Sequence, residues 1–171
     1  MFILQMDGFW ENRICPHCNA KLPVPTDTNE PVSTNEDTHI KTLSRACALM
    51  HGLPKVYVFD IPEKRLQTVR KHFTIPANET IFLISDHTFF GSNKEGFACT
   101  SWGIRWKNMN EVPSPRIAIS WEEVRKTPFY VKDYTLQFGN DAILNIPGLR
   151  VPKWRECFLA MLMQMGAVPG F

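Results

Sequence analysis

Two cysteines three residues apart, Cys15-Pro16-His17-Cys18, are the most reactive pattern in the chain. One chemistry for such a pair is thiol redox exchange, which needs the first thiol at the opening of a helix so that its pKa falls. Pro23 and Pro25 follow closely and forbid a full helix there, and no βαβ pattern surrounds the pair. A second chemistry is structural zinc: two thiolates in a tight turn supply half of a tetrahedral set. No second Cys-x-x-Cys exists, so the other half must come from elsewhere. Cys47 and His51 are the best completion, because a spacing of i, i+4 puts a sulfur and a nitrogen on one helix face, and His39 or His17 can replace either. Four protein ligands leave no open position, so such a zinc holds structure and does not catalyse. In a third reading Cys47 is a small apolar core residue in the stripe of Ile40, Leu43 and Met50, His51 favours a helix C-terminus, and Cys15 and Cys18 are relics of a lost site.

Asp86, His87 and Cys99 invite a Cys-His-Asp hydrolase, which requires the imidazole within hydrogen-bond reach of the thiol. Adjacent Asp86 and His87 point to opposite sides if extended, and a thiol inside a strand is more commonly buried packing. Lys64, Arg65, Arg70, Lys71 and His72, with Lys41, Arg45 and Lys55, offer a basic face. Nucleic-acid binders add stacking aromatics or an overall basic domain. Neither accompanies this face, so a solvated helix is the expectation. Gly91 and Gly96 bracket a polar turn with Lys94 near its tip. A phosphoinositide site would need several converging cations, and Lys94 has Glu95 beside it.

The elements that must position these groups read as follows. The chain has 171 residues, 44% of them hydrophobic, with twelve Phe and five Trp. That is enough for one domain of about 100–150 residues plus an appendage, held without disulfides. The net charge of +2, from 19 basic and 17 acidic residues, gives no general attraction to nucleic acid or anionic membrane. An odd cysteine count, an N-terminus without a basic and then apolar leader, and no apolar run near ~18 residues make a reducing cytoplasm the expected setting.

Residues 1–39 form a cysteine-knuckle segment and a polar linker. Residues 40–75 hold a helix from Ile40 to His51, a short strand Val56–Phe59, and a second helix with Leu66, Val69 and Phe73 on its buried stripe, opened by an Asp60/Glu63 capping box. Residues 76–171 carry seven short strands: Thr80–Ser85, Phe97–Thr100, Ile104–Lys107, Arg116–Trp121, Phe129–Lys132, Thr135–Phe138 and Ala142–Ile146. In the turn before Ile104, Gly103 can supply positive φ. A last helix begins at Pro152 with Trp154, Phe158, Met161, Leu162 and Met165 on one stripe. Leu159 and Met163 lie off it and need a second surface: the N-terminal segment, a second copy in a homodimer, or a partner.

Short antiparallel strands closed by one amphipathic helix make a mainly β (α+β) sandwich or barrel. The run Asp86-His87-Thr88-Phe89-Phe90-Gly91-Ser92-Asn93-Lys94, followed by a hairpin ending Trp106-Lys107-Asn108, resembles an uncharacterised group of bacterial PH-like (GRAM-like) domains. Ile14 to Pro25 resembles the first half of a bacterial zinc ribbon. The PH-like resemblance implies a binding or scaffolding role and supplies no catalytic residue. The expected function is a non-catalytic protein–protein interaction module, such as an adaptor or an inhibitor of the immunity type. Phe89, Phe90, Lys94, Leu159 and Met163 are its candidate contacts. The alternatives are anionic-lipid binding, through Lys94 or Arg105, and a thiol redox enzyme through Cys15 and Cys18.

Overall fold

The computed structural model describes residues 35–108 and 116–170. Helix α1 (Asn35–Ala48) opens with Glu36 and Asp37, which complement the positive end of the helix, and carries Arg45 in its last turn. It buries Leu43, Ala46 and Cys47, and Met50 just beyond it is also fully buried. The helix starts ahead of the apolar stripe, so Asn35–His39 are helical where the polar composition reads as linker. Apolar spacing marks only the part of a helix that meets the core, and this first turn is solvated.

Strand β1 (Val56–Val58) and helix α2 (Glu63–His72) follow, then β2 (Ile81–Asp86), β3 (Gly96–Thr100), β4 (Gly103–Lys107) and β5 (Ala118–Ser120). These five strands form one antiparallel sheet in chain order. Strand β1, from within residues 40–75, pairs with β2 at the edge of this sheet. A short helix α3 (Trp121–Lys126) leads to β6 (Phe129–Lys132), β7 (Thr135–Phe138) and β8 (Ala142–Asn145), a second antiparallel sheet. A 3-10 turn over Pro147–Arg150 joins it to the final helix α4 (Pro152–Gln164). The protein is therefore α+β, with sheets of five and three strands and a C-terminal helix.

Every residue of β2 and β3 is buried, because that part of the sheet is covered on both faces. On one side Ile84 and Ala98 meet Val69, Phe73 and Ile75 of α2 and the loop after it. On the other, Leu83, Phe97 and Cys99 join the main core with α1, α4 and the second sheet. Phe97 packs against Trp154 and Phe158 of α4 at ring separations of 6.3 and 5.2 Å. The α4 stripe of Trp154, Phe158, Met161, Leu162 and Met165 is buried as its spacing implies.

Four local expectations are corrected. Eight strands are present among the described residues, because Val56–Val58 belongs to the first sheet. The stretch Arg116–Trp121 is not one strand. Its alternation stops at Ser120, whose side chain accepts from the Glu123 amide while Glu123 reaches back to the Ser120 amide, a capping box that starts α3. At α2 the capping residue is Pro62, with no side-chain bond, so the Asp60/Glu63 box does not form. Gly103 lies in β4 without positive φ. It is small because a Cβ there would sit 2.0 Å from the Ile119 carbonyl oxygen. Among the described residues no helix is long and apolar enough to cross a membrane.

Candidate recognition site

The loop from the end of β2 to the start of β3 is built around Asp86. Its side chain has no exposed surface. One carboxylate oxygen accepts from the Thr88 amide at 2.9 Å and the Thr88 hydroxyl at 2.6 Å, and the other accepts from the Asn93 amide at 3.2 Å. The Thr88 hydroxyl oxygen in turn accepts from the Ser92 amide at 2.7 Å. Gly96 closes the loop opposite Asp86 with φ 131°, and a Cβ there would meet the Ser85 carbonyl oxygen at 2.0 Å.

Two cations brace the same loop from outside. Lys55, itself in the left-handed region at φ 58°, donates through Nζ to the Thr88 carbonyl at 2.7 Å and the Phe89 carbonyl at 3.4 Å. Arg65 lies 4.2 Å over the Tyr57 ring, donates to the Gly91 carbonyl at 3.3 Å, and approaches Asp86 to 3.9 Å. Phe89 and Phe90 project from this braced loop with 83% and 91% of their surface exposed. Their rings stack edge to face, 4.9 Å between centroids. Lys94 is exposed on the same loop.

Beneath the loop lies a cavity of about 500 Å³, bounded by Leu53, Pro54, Lys55, His87, Lys153 and Trp154 among others. His87 stands 3.1 Å from the Ser85 hydroxyl through Nε2 and meets Phe97 edge-on at 5.7 Å. Burial lowers its pKa to about 4, against the opposing pull of an Asn145 backbone hydrogen bond and the Asp86 charge. The ring is neutral at pH 7.

The structure does not assemble Asp86, His87 and Cys99 into a catalytic set. His87 turns to Ser85, the Asp86 carboxylate is used by the loop, and Cys99 has no exposed surface. Burial pushes the Cys99 thiol well above its usual range, and a hydrogen bond with the Cys47 thiol adds to that. Cys47 is thus turned into the core, as the apolar-stripe reading has it. His51 lies past the end of α1 and is exposed, so the two do not share an open helix face. Cys15 and Cys18 lie outside the described residues. Among the described residues no cluster of three metal-ligating side chains exists.

Arg105 is committed elsewhere. It pairs with Glu79, whose carboxylate also accepts from the Thr100 hydroxyl at 2.8 Å, and lies 4.7 Å over Trp102. It is not a free headgroup ligand. Burial works to raise the Glu79 pKa, but the bonds from Arg105 and Thr100 outweigh it and hold the group below its usual value. The basic face of α2 is likewise broken up: Arg65 serves the loop, and Arg70 donates to the carbonyls of Pro76 and Glu79. On α4, Leu159 packs against the core, while Met163 stays half exposed.

Two residues that hold the loop have that role unread in the sequence. Asp86 has a local signal, an Asp-x-Thr step before a glycine, which is the pattern of a side chain capping its own turn. Lys55 has none, because its partner Thr88 is 33 residues away. In comparison with known proteins, no family model, no curated protein and no solved structure matches the chain.

Proposed function

We propose that the protein is a non-catalytic recognition module on a PH-like scaffold, and that it binds another protein through Phe89 and Phe90. The observation that carries this reading is two large aromatic rings held almost fully in solvent by a loop whose root is buried and hydrogen-bonded. Isolated exposed apolar residues are ordinary, but adjacent aromatics on a pre-organised loop resemble binding hot spots. Fixing the loop before binding lowers the ordering cost, so more of the burial of both rings is realised as affinity. Two antiparallel sheets and a terminal helix sharing one core support the PH-like scaffold. In this reading the setting is cytoplasmic and the Cys15/Cys18 knuckle holds a structural zinc. A homodimer through Met163 of α4 is a weaker alternative, since Leu159 beside it is already packed.

The test is affinity capture from the native cytosol with the wild-type chain and with F89S/F90S, followed by quantitative mass spectrometry. One stoichiometric protein lost in F89S/F90S supports the reading. The same protein captured equally by both overturns it, and so does enrichment of lipid with no protein.

A further inference from the structure

The exposed Phe89 and Phe90 do not account for the cavity at the root of their loop. We propose that this cavity binds a small anionic amphiphile, an apolar chain or ring bearing one carboxylate, with the carboxylate held between Lys55 and Lys153. It is a half-open pocket of about 500 Å³, within the size range of small-molecule sites. Its walls are mostly apolar, and Leu53, Val151 and Trp154 face the ligand body.

The lining carries two lysines and one acid. The Lys55 ammonium donates to two neutral carbonyls, those of Thr88 and Phe89. Lys153 is exposed and makes no hydrogen bond or ion pair among the described residues. Asp86 is the acid of the lining, with its carboxylate fully buried and Arg65 3.9 Å away, so the two lysines leave the lining net positive. Helix α4 starts at the same wall, and Val151 ahead of it offers no capping group, so its first turn favours an anion and repels a cation. Lys55 is a non-glycine residue in left-handed backbone, a conformation that surroundings must enforce and that gathers at ligand clamps.

The assignment does not depend on a protein partner at Phe89 and Phe90. Titration calorimetry of the full chain at neutral pH, with octanoate and octylamine as probes, tests it. Octanoate is expected to saturate a single site, with octylamine at least about tenfold weaker. The exposed charge reversal K153E is expected to remove that preference, and F89S/F90S to bind octanoate as the wild type does. Absence of saturable octanoate binding, equal affinity for the two probes, or an unchanged preference in K153E would overturn the proposal. Loss of octanoate binding in F89S/F90S would place the site on the loop tip and overturn the cavity assignment.

Discussion

Asp86→Ala removes the side chain that anchors the loop from β2 to β3. The native carboxylate receives hydrogen bonds from two amides and one hydroxyl, on Thr88 and Asn93, which are themselves 8% and 4% exposed. Hydrogen bonds to a charged group contribute about 1.5–3 kcal/mol each, and a buried donor left without a partner costs about 1–3 kcal/mol. These terms overlap, and removing the carboxylate also relieves the cost of burying it. A net loss of about 3 kcal/mol is the expected balance, comparable with other broken buried polar networks. The Arg65 contact adds little, at 3.9 Å with 29% of the arginine side chain exposed, so Arg65→Ala is expected to cost under about 1 kcal/mol. Urea unfolding at pH 7, followed by tryptophan fluorescence, reads both variants. With a slope of about 1–3 kcal/mol per molar, Asp86→Ala should lower the midpoint by about 1–3 M. In the same variant the amides of Ser92 and Asn93 should lose hydrogen-exchange protection. A cost under about 1 kcal/mol with those amides still protected would refute the view that Asp86 organises the loop.

Gly96→Ala combines a φ of 131° with a Cβ 2.0 Å from the Ser85 carbonyl oxygen, so it should lower stability at least as much as Asp86→Ala in the same urea assay. His87 makes stability fall in mild acid. The unfolded ring takes a proton near 6.5 and the folded ring resists until about 4, so the unfolded state binds more protons between them. The loss across that window is about 2–3 kcal/mol, and His87→Gln should flatten the pH 6.5–4.5 part of a stability profile. Below pH 4.5 Glu79 and Glu123, whose pKa values are lowered, add their own loss as they protonate, and that part should survive in His87→Gln. Elemental analysis of the purified chain should find zinc that C15S/C18S removes and Cys47→Ala leaves in place, because Cys47 is buried against Cys99.

What the residues disclosed in advance was their periodicity. Strands Phe129–Lys132 and Thr135–Phe138 have the bounds their alternation implies, and the α4 stripe is buried as spaced. Sequence and structure part where two signals overlap. Ile117, Ile119 and Trp121 alternate like a strand, yet Ser120 and Glu123 cap a helix inside the same stretch. Ile117 is left 49% exposed, while Trp121 is buried from the helix side. The Cys47/His51 spacing is correct for a helix face, but α1 ends at Ala48, and the core takes the sulfur while solvent takes the imidazole. Phe89, Phe90 and Lys94 were visible as a loop. Its bracing is not, because Lys55, with a smaller contribution from Arg65, is remote in sequence and comes near only when β1 and α2 pack beside β2.

Site-specific photocrosslinking at the loop tip tests the central claim most directly. A benzophenone amino acid replaces Phe90 in the full chain, with a control at Tyr130, which is 47% exposed on the second sheet. Irradiation in a native cell extract is expected to give one dominant protein adduct from position 90 and none of the same mass from position 130. The same adducts from both positions, or only lipid adducts at position 90, would contradict a protein-binding loop.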